Sequence, residues 1–229
     1  MNKKALIIFL KYPEIGKVKT RLAKDFNEVF ATEFYRHCVE KIINELKENI
    51  RLEASVYLFC SEDRNIPNIK NWLGNDLKYK AQAGKDLGER MKNAFIEVFM
   101  LGYQQAIIIG TDIPDLNSEI IINAFKLLNN FDSVVGPSKD GGYYLLGIKK
   151  NHPEIFDGLN WSTGEVLSET IKKLNSKKIS NTLLQELIDV DTAKNLNEWM
   201  ELQPNNSLNS VFDYVDHYLN GGENSIRYN

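Results

Sequence analysis

The sequence AIIIGTDIPD, residues 106–115, decides the fold, because a short apolar run in it ends on two carboxylates, Asp112 and Asp115. Apolar runs of this length are typical of strands that are buried on both faces of a parallel sheet. Ligands of open α/β sheets bind just beyond the carboxyl ends of such strands. A carboxylate placed there can hold a hard cation, and the cation can hold phosphates. The alternative is that both aspartates only cap the next helix, a role that suits Asp115.

Strand and helix patterns alternate along the rest of the chain, which predicts an α/β domain with a largely parallel sheet. The predicted strands are residues 5–10, 54–60, 77–82, 106–109, 133–135 and 143–148. The predicted helices are residues 28–47, 66–73, 87–101, 118–128, 163–174, 192–202 and 207–219. We expect one domain over residues 1–220 and a frayed tail over residues 221–229, which has little to bury.

Composition excludes several classes of protein. The net charge of −3 over 229 residues gives no reason to expect nucleic acid as a partner. Cys38 and Cys60 are the only cysteines in the sequence, too few for a disulfide framework or a cysteine-rich zinc site. No apolar stretch approaches the roughly 20 residues of a membrane-spanning helix, and the first apolar run does not resemble a signal peptide. We therefore expect a cytoplasmic protein without a membrane span, and the sequence leaves its oligomeric state open.

The first 24 residues form a basic patch that suits an anionic small ligand. Its loop GKVKTR, residues 16–21, follows the first strand and runs toward a helix, so it can direct N–H groups and cations at phosphate. The candidate ligand-binding residues there are Lys11, Gly16, Lys17, Lys19 and Arg21. The loop has neither the spacing of a Walker A motif nor the glycines of a dinucleotide fingerprint. The alternatives are solvated lysines and an Arg21 that pairs with a surface carboxylate.

A second candidate segment is GPSKDGGY, residues 136–143, which links two predicted strands. The paired glycines Gly141 and Gly142 would let a ligand approach the backbone closely, beside Asp140 and Tyr143. The alternative is an ordinary tight turn, since Asp-Gly is also a hairpin signal.

The segment DVDT, residues 189–192, lies late in the chain, after a short apolar triplet and before a predicted helix. Asp191 could complete a divalent-metal site with Asp112. The alternative is that Asp191 or Thr192 caps the helix. The segment also has the Asp-x-Asp-x-Thr pattern of haloacid-dehalogenase-type phosphatases. In those enzymes the pattern ends the first core strand, which makes phosphohydrolysis the weaker interpretation here.

Two further segments open predicted helices. In GKDLGER, residues 84–90, the spacing of Asp86 and Glu89 resembles a capping box, and Arg90 could line a pocket. In WSTG, residues 161–164, Trp161 could stack on a sugar or a base, or could simply be buried.

Taken in chain order, these segments resemble a known family. They are FLK with GKVKTRLA, then DLGERM, GTDIP, GP, DGGY and WST. Over residues 4–195 the order is similar to that of the bacterial, glycosyltransferase-like family of radical-SAM/selenodomain-associated transferases. That family resembles the wider nucleotide-diphospho-sugar transferase superfamily. The resemblance implies a Rossmann-like GT-A fold, a mixed and mostly parallel sheet flanked by helices, with the nucleotide over the ends of the first strands.

The resemblance also implies roles for residues. Lys19 and Arg21 match the basic residues of the guanylyltransferase phosphate loop. Asp112 matches the metal-binding carboxylate of the superfamily, and Asp191 matches a second metal ligand of some cytidylyltransferases. Asp140 matches a position near the acceptor or sugar, together with the two glycines after it. Two departures are the missing glycine-rich first loop of nucleotidyltransferases and the missing Asp-x-Asp triplet of glycosyltransferases at the fourth strand.

These observations lead to one hypothesis and two alternatives. The hypothesis is a transferase that binds a nucleoside triphosphate or nucleotide sugar through Mg²⁺ or Mn²⁺, with an unidentified small-molecule acceptor. Asp112, Lys19 and Arg21 would carry the catalysis, since phosphate chemistry depends mainly on positioning and charge stabilisation. The alternatives are a nucleotide-binding module whose catalytic power has lapsed and, less favoured, the phosphohydrolase.

Overall fold

The computed structural model describes residues 3–49, 52–203 and 210–220. Within these residues, seven strands form one sheet in the order β3-β2-β1-β4-β6-β5-β7. The strands are β1 Lys4–Leu10, β2 Ser55–Cys60, β3 Lys78–Ala81, β4 Gln105–Ile109, β5 Ser133–Pro137, β6 Tyr143–Ile148 and β7 Asn181–Leu183. The helices are α1 Thr20–Asp25, α2 Glu28–Glu48, α3 Ile66–Leu73, α4 Leu87–Met100, α5 Ser118–Leu127, α6 Val166–Ser176, α7 Ala193–Glu201 and α8 Ser210–Asn220.

The sheet is mixed and mostly parallel. β1 lies parallel to β2 and to β4, β2 to β3, and β5 to β7, whereas β6 runs antiparallel to both β4 and β5. The carboxyl ends of the six strands that share a direction therefore meet at one edge of the sheet, where β6 begins. This topology confirms the predicted Rossmann-like mixed sheet flanked by helices.

Helices cover both faces of the sheet because alternate residues of each strand point to opposite sides. Leu6 and Ile8 of β1 belong to a buried cluster that also contains residues of α2, α3 and α5. Ala5 and Ile7 of the same strand belong to a second cluster with residues of α4 and α6. All four side chains are fully buried, as the nearly continuous apolar character of the strand predicts.

A further layer of helices packs on the outer side of α2. Leu22 of α1, Phe34 of α2, Trp199 of α7 and Val215 of α8 lie in one buried cluster. The ring of Phe34 meets that of Trp199 edge-on, with 6.4 Å between the ring centroids. This layer brings the segment before α7 against the segment before α1, which places the late DVDT segment beside the first loop.

Most predicted elements are confirmed, with bounds shifted by one to three residues. Neither α1 nor β7 was predicted, since each is too short for a hydrophobic period to be visible. α6 begins at Val166 and not at residue 163, because residues 161–165 form turns, with Ser162 at a φ of 65°. Residues 207–209 of the last predicted helix and the tail 221–229 lie outside the described residues.

None of the helices in the described part of the chain combines the length and the apolar character that crossing a bilayer requires.

Candidate functional site

The site lies at the point where strands β1 and β4 stop pairing and diverge. Their pairing ends at Ile8 and Ile109. Beyond that point the N–H of Gly110 donates to the carbonyl of Tyr144 on β6 at 3.1 Å, so the chain after β4 turns away from β1. The loop that starts at Lys11 and the segment that carries Asp112 therefore diverge, and we refer to the gap between their backbones as the crevice. Since β2 and β4 lie on opposite sides of β1, this is the topological switch point where open α/β sheets bind ligands.

Lys19 lies at the centre of this site. The residue precedes α1 in a left-handed conformation, with φ 46° and ψ 43°, and its side chain is only 4% exposed. Its Nζ donates to Oδ1 of Asp189 at 3.0 Å and lies 3.3 Å from Oδ1 of Asp112. Acidic residues from two distant parts of the chain thus converge on one ammonium group of the basic loop.

The charges of this cluster do not balance. Burial alone would lower the pKa of Lys19, but the charges of Asp112 and Asp189 outweigh it and raise the pKa above its ordinary value. Burial raises the pKa of Asp189 to about 6, against the opposing effect of Lys19, and the charges of Asp112 and Asp140 add to the rise. Two carboxylates share one cation, so one negative charge is left over. Such a surplus attracts a further cation.

Asp191 contacts another basic residue of the loop, Arg21. NH1 of Arg21 donates to Oδ2 of Asp191 at 2.8 Å, and the Arg21 side chain is 67% exposed. Between the two aspartates, Val190 is fully buried in the outer helical cluster, so Asp189 and Asp191 reach the loop while Val190 anchors the segment. Thr192 caps α7, with its Oγ1 accepting the N–H of Asn195 at 3.2 Å, which confirms the capping interpretation for that residue.

The donor set fits a divalent cation that is bound together with a substrate. The Asp112 side chain is 47% exposed, so it has carboxylate oxygen to offer. Within residues 3–49, 52–203 and 210–220, no group of three or more His, Cys, Asp or Glu side chains could enclose a metal ion. Mg²⁺ does not need such a cage, because it is commonly bound through one or two carboxylates plus substrate phosphates and waters.

The Tyr35 side chain binds the backbone of the first loop at the point where that loop leaves the sheet. The Tyr35 hydroxyl accepts the backbone N–H of Lys11 at 2.8 Å and lies 3.3 Å from Oγ1 of Thr111. Burial and the nearby Asp112 raise the pKa of Tyr35, so the phenol stays protonated. The side chains of Lys11 and Lys17 are exposed, and Gly16 has a φ of 76°, which a glycine adopts without strain.

The predicted turn between β5 and β6 is a hairpin tip held in place by a neighbour. Oδ1 of Asp140 accepts the N–H of Gly142 at 3.0 Å. Gly141 has a φ of 88°, and a Cβ on it would lie 2.0 Å from the carbonyl oxygen of Gly164. The carbonyl of Gly141 in turn accepts the N–H of Leu167 at 3.0 Å. The hairpin interpretation is confirmed, and the tip is fixed against the WSTG segment beside α6.

The remaining candidates lie around the start of α4. Trp161 is half-buried over this helix, since a Cβ on Gly88 would lie 2.2 Å from its Nε1. Asp86 caps α4 through the N–H of Glu89 at 2.9 Å, as predicted. Nε of Arg90 donates to the carbonyl of Gly84 at 3.2 Å, which braces the preceding turn. Tyr143, at the start of β6, has its hydroxyl 4.0 Å from Sδ of Met91 on α4, and burial raises its pKa.

Three residues of the site were not predicted as such: Asp189, Tyr35 and Thr111. Asp189 was visible in DVDT, but it was assigned only to the phosphatase pattern. That pattern follows β7, the last strand in the described part of the sheet, and not the first core strand. Tyr35 gave no signal, because an aromatic residue on the apolar face of a helix is ordinary core.

The capping role expected for Asp115 is wrong. Asn117 caps α5, with its Oδ1 accepting the N–H of Ile120 at 3.0 Å. The chain makes a turn after Pro114, so the helix begins two residues later than that role requires. Asp115 instead accepts a hydrogen bond from Nε2 of Gln203 at 3.3 Å.

Comparison with known proteins identifies a matching family and a similar solved structure. The family described as "Uncharacterized protein conserved in bacteria (DUF2064)" matches residues 46–163. A candidate nucleotide-diphospho-sugar transferase from Desulfovibrio desulfuricans G20, whose crystal structure is known, is 35% identical. Its TM-score is 0.89, and 95% of each chain is covered.

One further relative carries the name of an enzyme, and a more distant structure shares the fold. The 2-phospho-L-lactate guanylyltransferase of Methanocaldococcus jannaschii is 28% identical over 196 residues, which cover 83% of this chain and 80% of the relative. A Mycobacterium tuberculosis H37Rv protein crystallised in complex with manganese is 10% identical with a TM-score of 0.53, covering 88% of this chain and 100% of its own, and shares the fold.

Proposed function

Since this chain belongs to the DUF2064 family of bacterial proteins, we propose that it is a nucleotidyl-transferring enzyme that uses a nucleoside triphosphate. The guanylyltransferase relatives make GTP the first nucleotide to test and a small phosphorylated acid the first acceptor. The observation that carries the proposal is the meeting of Asp112 and Asp189 on the buried Lys19 at the switch point of the sheet. The surplus negative charge there suits a divalent cation that accompanies a triphosphate.

The proposed reaction is attack of an acceptor phosphate oxygen on the α-phosphorus of the triphosphate. A bond forms between that oxygen and the α-phosphorus, the bond to the β-phosphate bridging oxygen breaks, and pyrophosphate leaves. Such a step needs charge stabilisation and alignment more than a protein nucleophile. Bound Mg²⁺ or Mn²⁺ would supply part of that stabilisation by neutralising phosphate charge.

We assign the acidic residues of the site to the metal ion and the exposed basic residue Arg21 to the phosphate. Asp112 and Asp191 would hold the cation, with Asp189 beside them on Lys19. Arg21 is exposed and could turn from Asp191 to a phosphate, because its guanidinium can donate two parallel hydrogen bonds. Lys19 would set the charge and position of the carboxylates from inside the protein.

The ligand's two ends would meet different loops. On the phosphate side, the exposed Lys11 and Lys17 and the backbone at Gly16 would add positive charge and N–H donors. The proposed acceptor side comprises Arg90, Asp140, Gly141, Gly142, Tyr143 and Trp161.

A nucleotide panel tests the proposal. The protein is titrated calorimetrically with the common nucleoside triphosphates and nucleotide sugars, with Mg²⁺, with Mn²⁺ and with EDTA. Pyrophosphate release is then followed with a panel of phosphorylated hydroxy acids. We expect triphosphate binding that requires the metal, and pyrophosphate release that requires an acceptor. Absence of metal-dependent binding by every nucleotide would refute the proposal.

The same panel separates the alternatives. Glycosyl transfer, which the name of the Desulfovibrio relative suggests, would consume a nucleotide sugar and release a nucleoside diphosphate or monophosphate. A lapsed binding module would bind a nucleotide tightly without turnover. The single domain over residues 1–220, the cytoplasmic location and the link to radical-SAM proteins stay predictions.

A further inference from the structure

The phenol of Tyr35 lies at the base of the crevice between β1 and β4. Its hydroxyl accepts the N–H of Lys11 at 2.8 Å and lies 3.2 Å from the carbonyl oxygen of the same residue. On the other side, Oγ1 of Thr111 lies 3.3 Å from this hydroxyl and 3.4 Å from the carbonyl oxygen of Phe9. One hydroxyl group therefore contacts both sides of the crevice.

The separation of the strands explains why a hydroxyl is needed there. The β1–β4 ladder ends at Ile8 and Ile109, and Gly110 then pairs with β6. The backbone of Lys11 consequently loses the neighbour that a continuing ladder would have provided. Buried backbone groups require a partner, and Tyr35 supplies one without drawing the strands together. The hydroxyl of Tyr35 thus takes the place of the strand neighbour that Lys11 lacks.

We propose that Tyr35 is a positioning residue of the transfer site. Its hydroxyl fixes the separation between the loop that leads from Lys11 to Lys19 and the segment that leads from Thr111 to Asp112. The ion pair of Lys19 with Asp112, at 3.3 Å, spans the same crevice. The two contacts therefore set one distance, and the Tyr35 contact holds it when a ligand competes for the charged groups. The catalytic consequence rests on the function proposed above.

Tyr35 and Thr111 act through other residues. They are 3% and 4% exposed, so neither side chain is available to a substrate. Tyr35 is carried by α2, which packs on the sheet below and on the outer helices above. A rigid helix thus sets the position of the hydroxyl.

The test compares Tyr35→Phe with Tyr144→Phe. Tyr144 is 4% exposed, and its hydroxyl donates to the carbonyl of Gln185 at 3.0 Å, so this control also removes one buried hydroxyl. Amide hydrogen exchange is measured over residues 11–19 and 110–112, together with the apparent dissociation constant of Mn²⁺ and nucleotide. In Tyr35→Phe we expect faster exchange in both segments and a dissociation constant raised about tenfold, the size of effect that a small misplacement can cause. In the control both quantities stay at wild-type values.

A second variant tests the bridge itself. Thr111→Val keeps the shape of the side chain and removes its hydroxyl. If the two hydroxyls act as one contact, the double variant with Tyr35→Phe loses less affinity than the product of the single losses. If the loss of affinity in the double variant equals the product of the two single losses, the two hydroxyl groups do not act as one contact.

The outcomes also separate this inference from the proposed function. Unchanged exchange and affinity in Tyr35→Phe, or equal losses in the Tyr144→Phe control, would overturn the positioning role while leaving the transfer reaction intact. A third outcome combines faster exchange in Tyr35→Phe with a wild-type protein that binds no metal–nucleotide complex. That outcome would support the positioning contact of Tyr35 and refute the transfer reaction.

Discussion

Lys19 carries its charge inside the protein, and its two carboxylate partners are partly in contact with solvent. A buried ammonium costs several kcal/mol of desolvation unless nearby anions compensate it. Here the compensation is more than complete, because two carboxylates face one ammonium. At the scale of single residues, the site is therefore a stable ion-pair cluster with a negative surplus.

Replacing Asp112 tests the residue assigned to the cation. Asp112→Asn removes a charge and keeps the shape, so we expect a loss of pyrophosphate release of at least about 100-fold, the size seen when a preorganised charge is removed. Asp115→Asn, three residues later, is the matched control and should stay near the wild-type rate. The assay is pyrophosphate release at saturating Mn²⁺. Equal rates for the two variants would contradict the role of Asp112.

Replacing Lys19 tests the ion-pair cluster. Lys19→Met keeps the length of the side chain and leaves Asp112 and Asp189 facing each other without a cation. We expect the free energy of unfolding to fall by about 1–3 kcal/mol, less than for a fully buried pair because both carboxylates are partly hydrated. Urea unfolding measures the loss, with the exposed Lys17→Met as the control. A Lys19→Met variant as stable as the control would show that the cluster contributes nothing.

At the scale of elements, the site depends on loops that other elements fix. Thr192 caps α7 and directly follows Asp191, so the cap of a helix also fixes a segment of the site. The tip of the β5–β6 hairpin rests on the turn before α6, where a Cβ on Gly141 would lie 2.0 Å from the carbonyl oxygen of Gly164. The glycine at position 141 thus allows an approach that a side chain there would prevent.

Two glycines with nearly the same φ allow the cost of backbone strain to be measured separately from the cost of a steric clash. Gly141 and Gly102 have φ values of 88° and 89°, but a Cβ on Gly102 meets nothing within 4 Å. Gly102→Ala should cost about 1 kcal/mol of stability, the strain of a left-handed alanine. Gly141→Ala should cost about 2–4 kcal/mol, because it adds the collision with Gly164. Denaturant unfolding of both variants measures the difference, and equal losses would show that the hairpin tip has room to move.

At the scale of the whole molecule, the sheet brings the loops of the site together at one edge. Six strands share a direction, so the loops after β1, β4, β5 and β7 leave the same edge. The outer helices α1, α7 and α8 then close the late DVDT segment onto the first loop. A ligand bound at this edge would add contacts between parts of the chain that the ion pairs of Lys19 and Arg21 and the packing of the outer helices already join.

Ligand binding should therefore stabilise the whole fold. At a concentration 100-fold above its dissociation constant, a ligand specific for the native state adds about 2.7 kcal/mol. For a chain of this size, that corresponds to a rise in Tm of roughly 5–10 °C. Thermal unfolding with GTP and Mn²⁺ measures it, and EDTA should abolish most of the rise. A Tm indifferent to metal and nucleotide together would contradict the proposed site.

The sequence by itself determined most of the helices and strands, and most of the site residues at the edge of the sheet where the parallel strands end. Apolar residues at helical spacing marked α2 and α4, because one face of each helix is buried. The continuous apolar run before Gly110 marked β4, because that strand is buried on both faces. Asp112, Lys19 and Arg21 were visible because each follows such an element. The switch-point rule then placed them at one edge of the sheet.

Only the tertiary structure decided which charges meet. Lys19 pairs with Asp189 as well as Asp112, and Arg21 pairs with Asp191, across most of the length of the chain. Tyr35 was not singled out in the sequence, and its hydroxyl contacts both the backbone of Lys11 and the side chain of Thr111. The physical reason is that periodicity reports burial along one element. The partner of a polar group depends on which other elements pack against it.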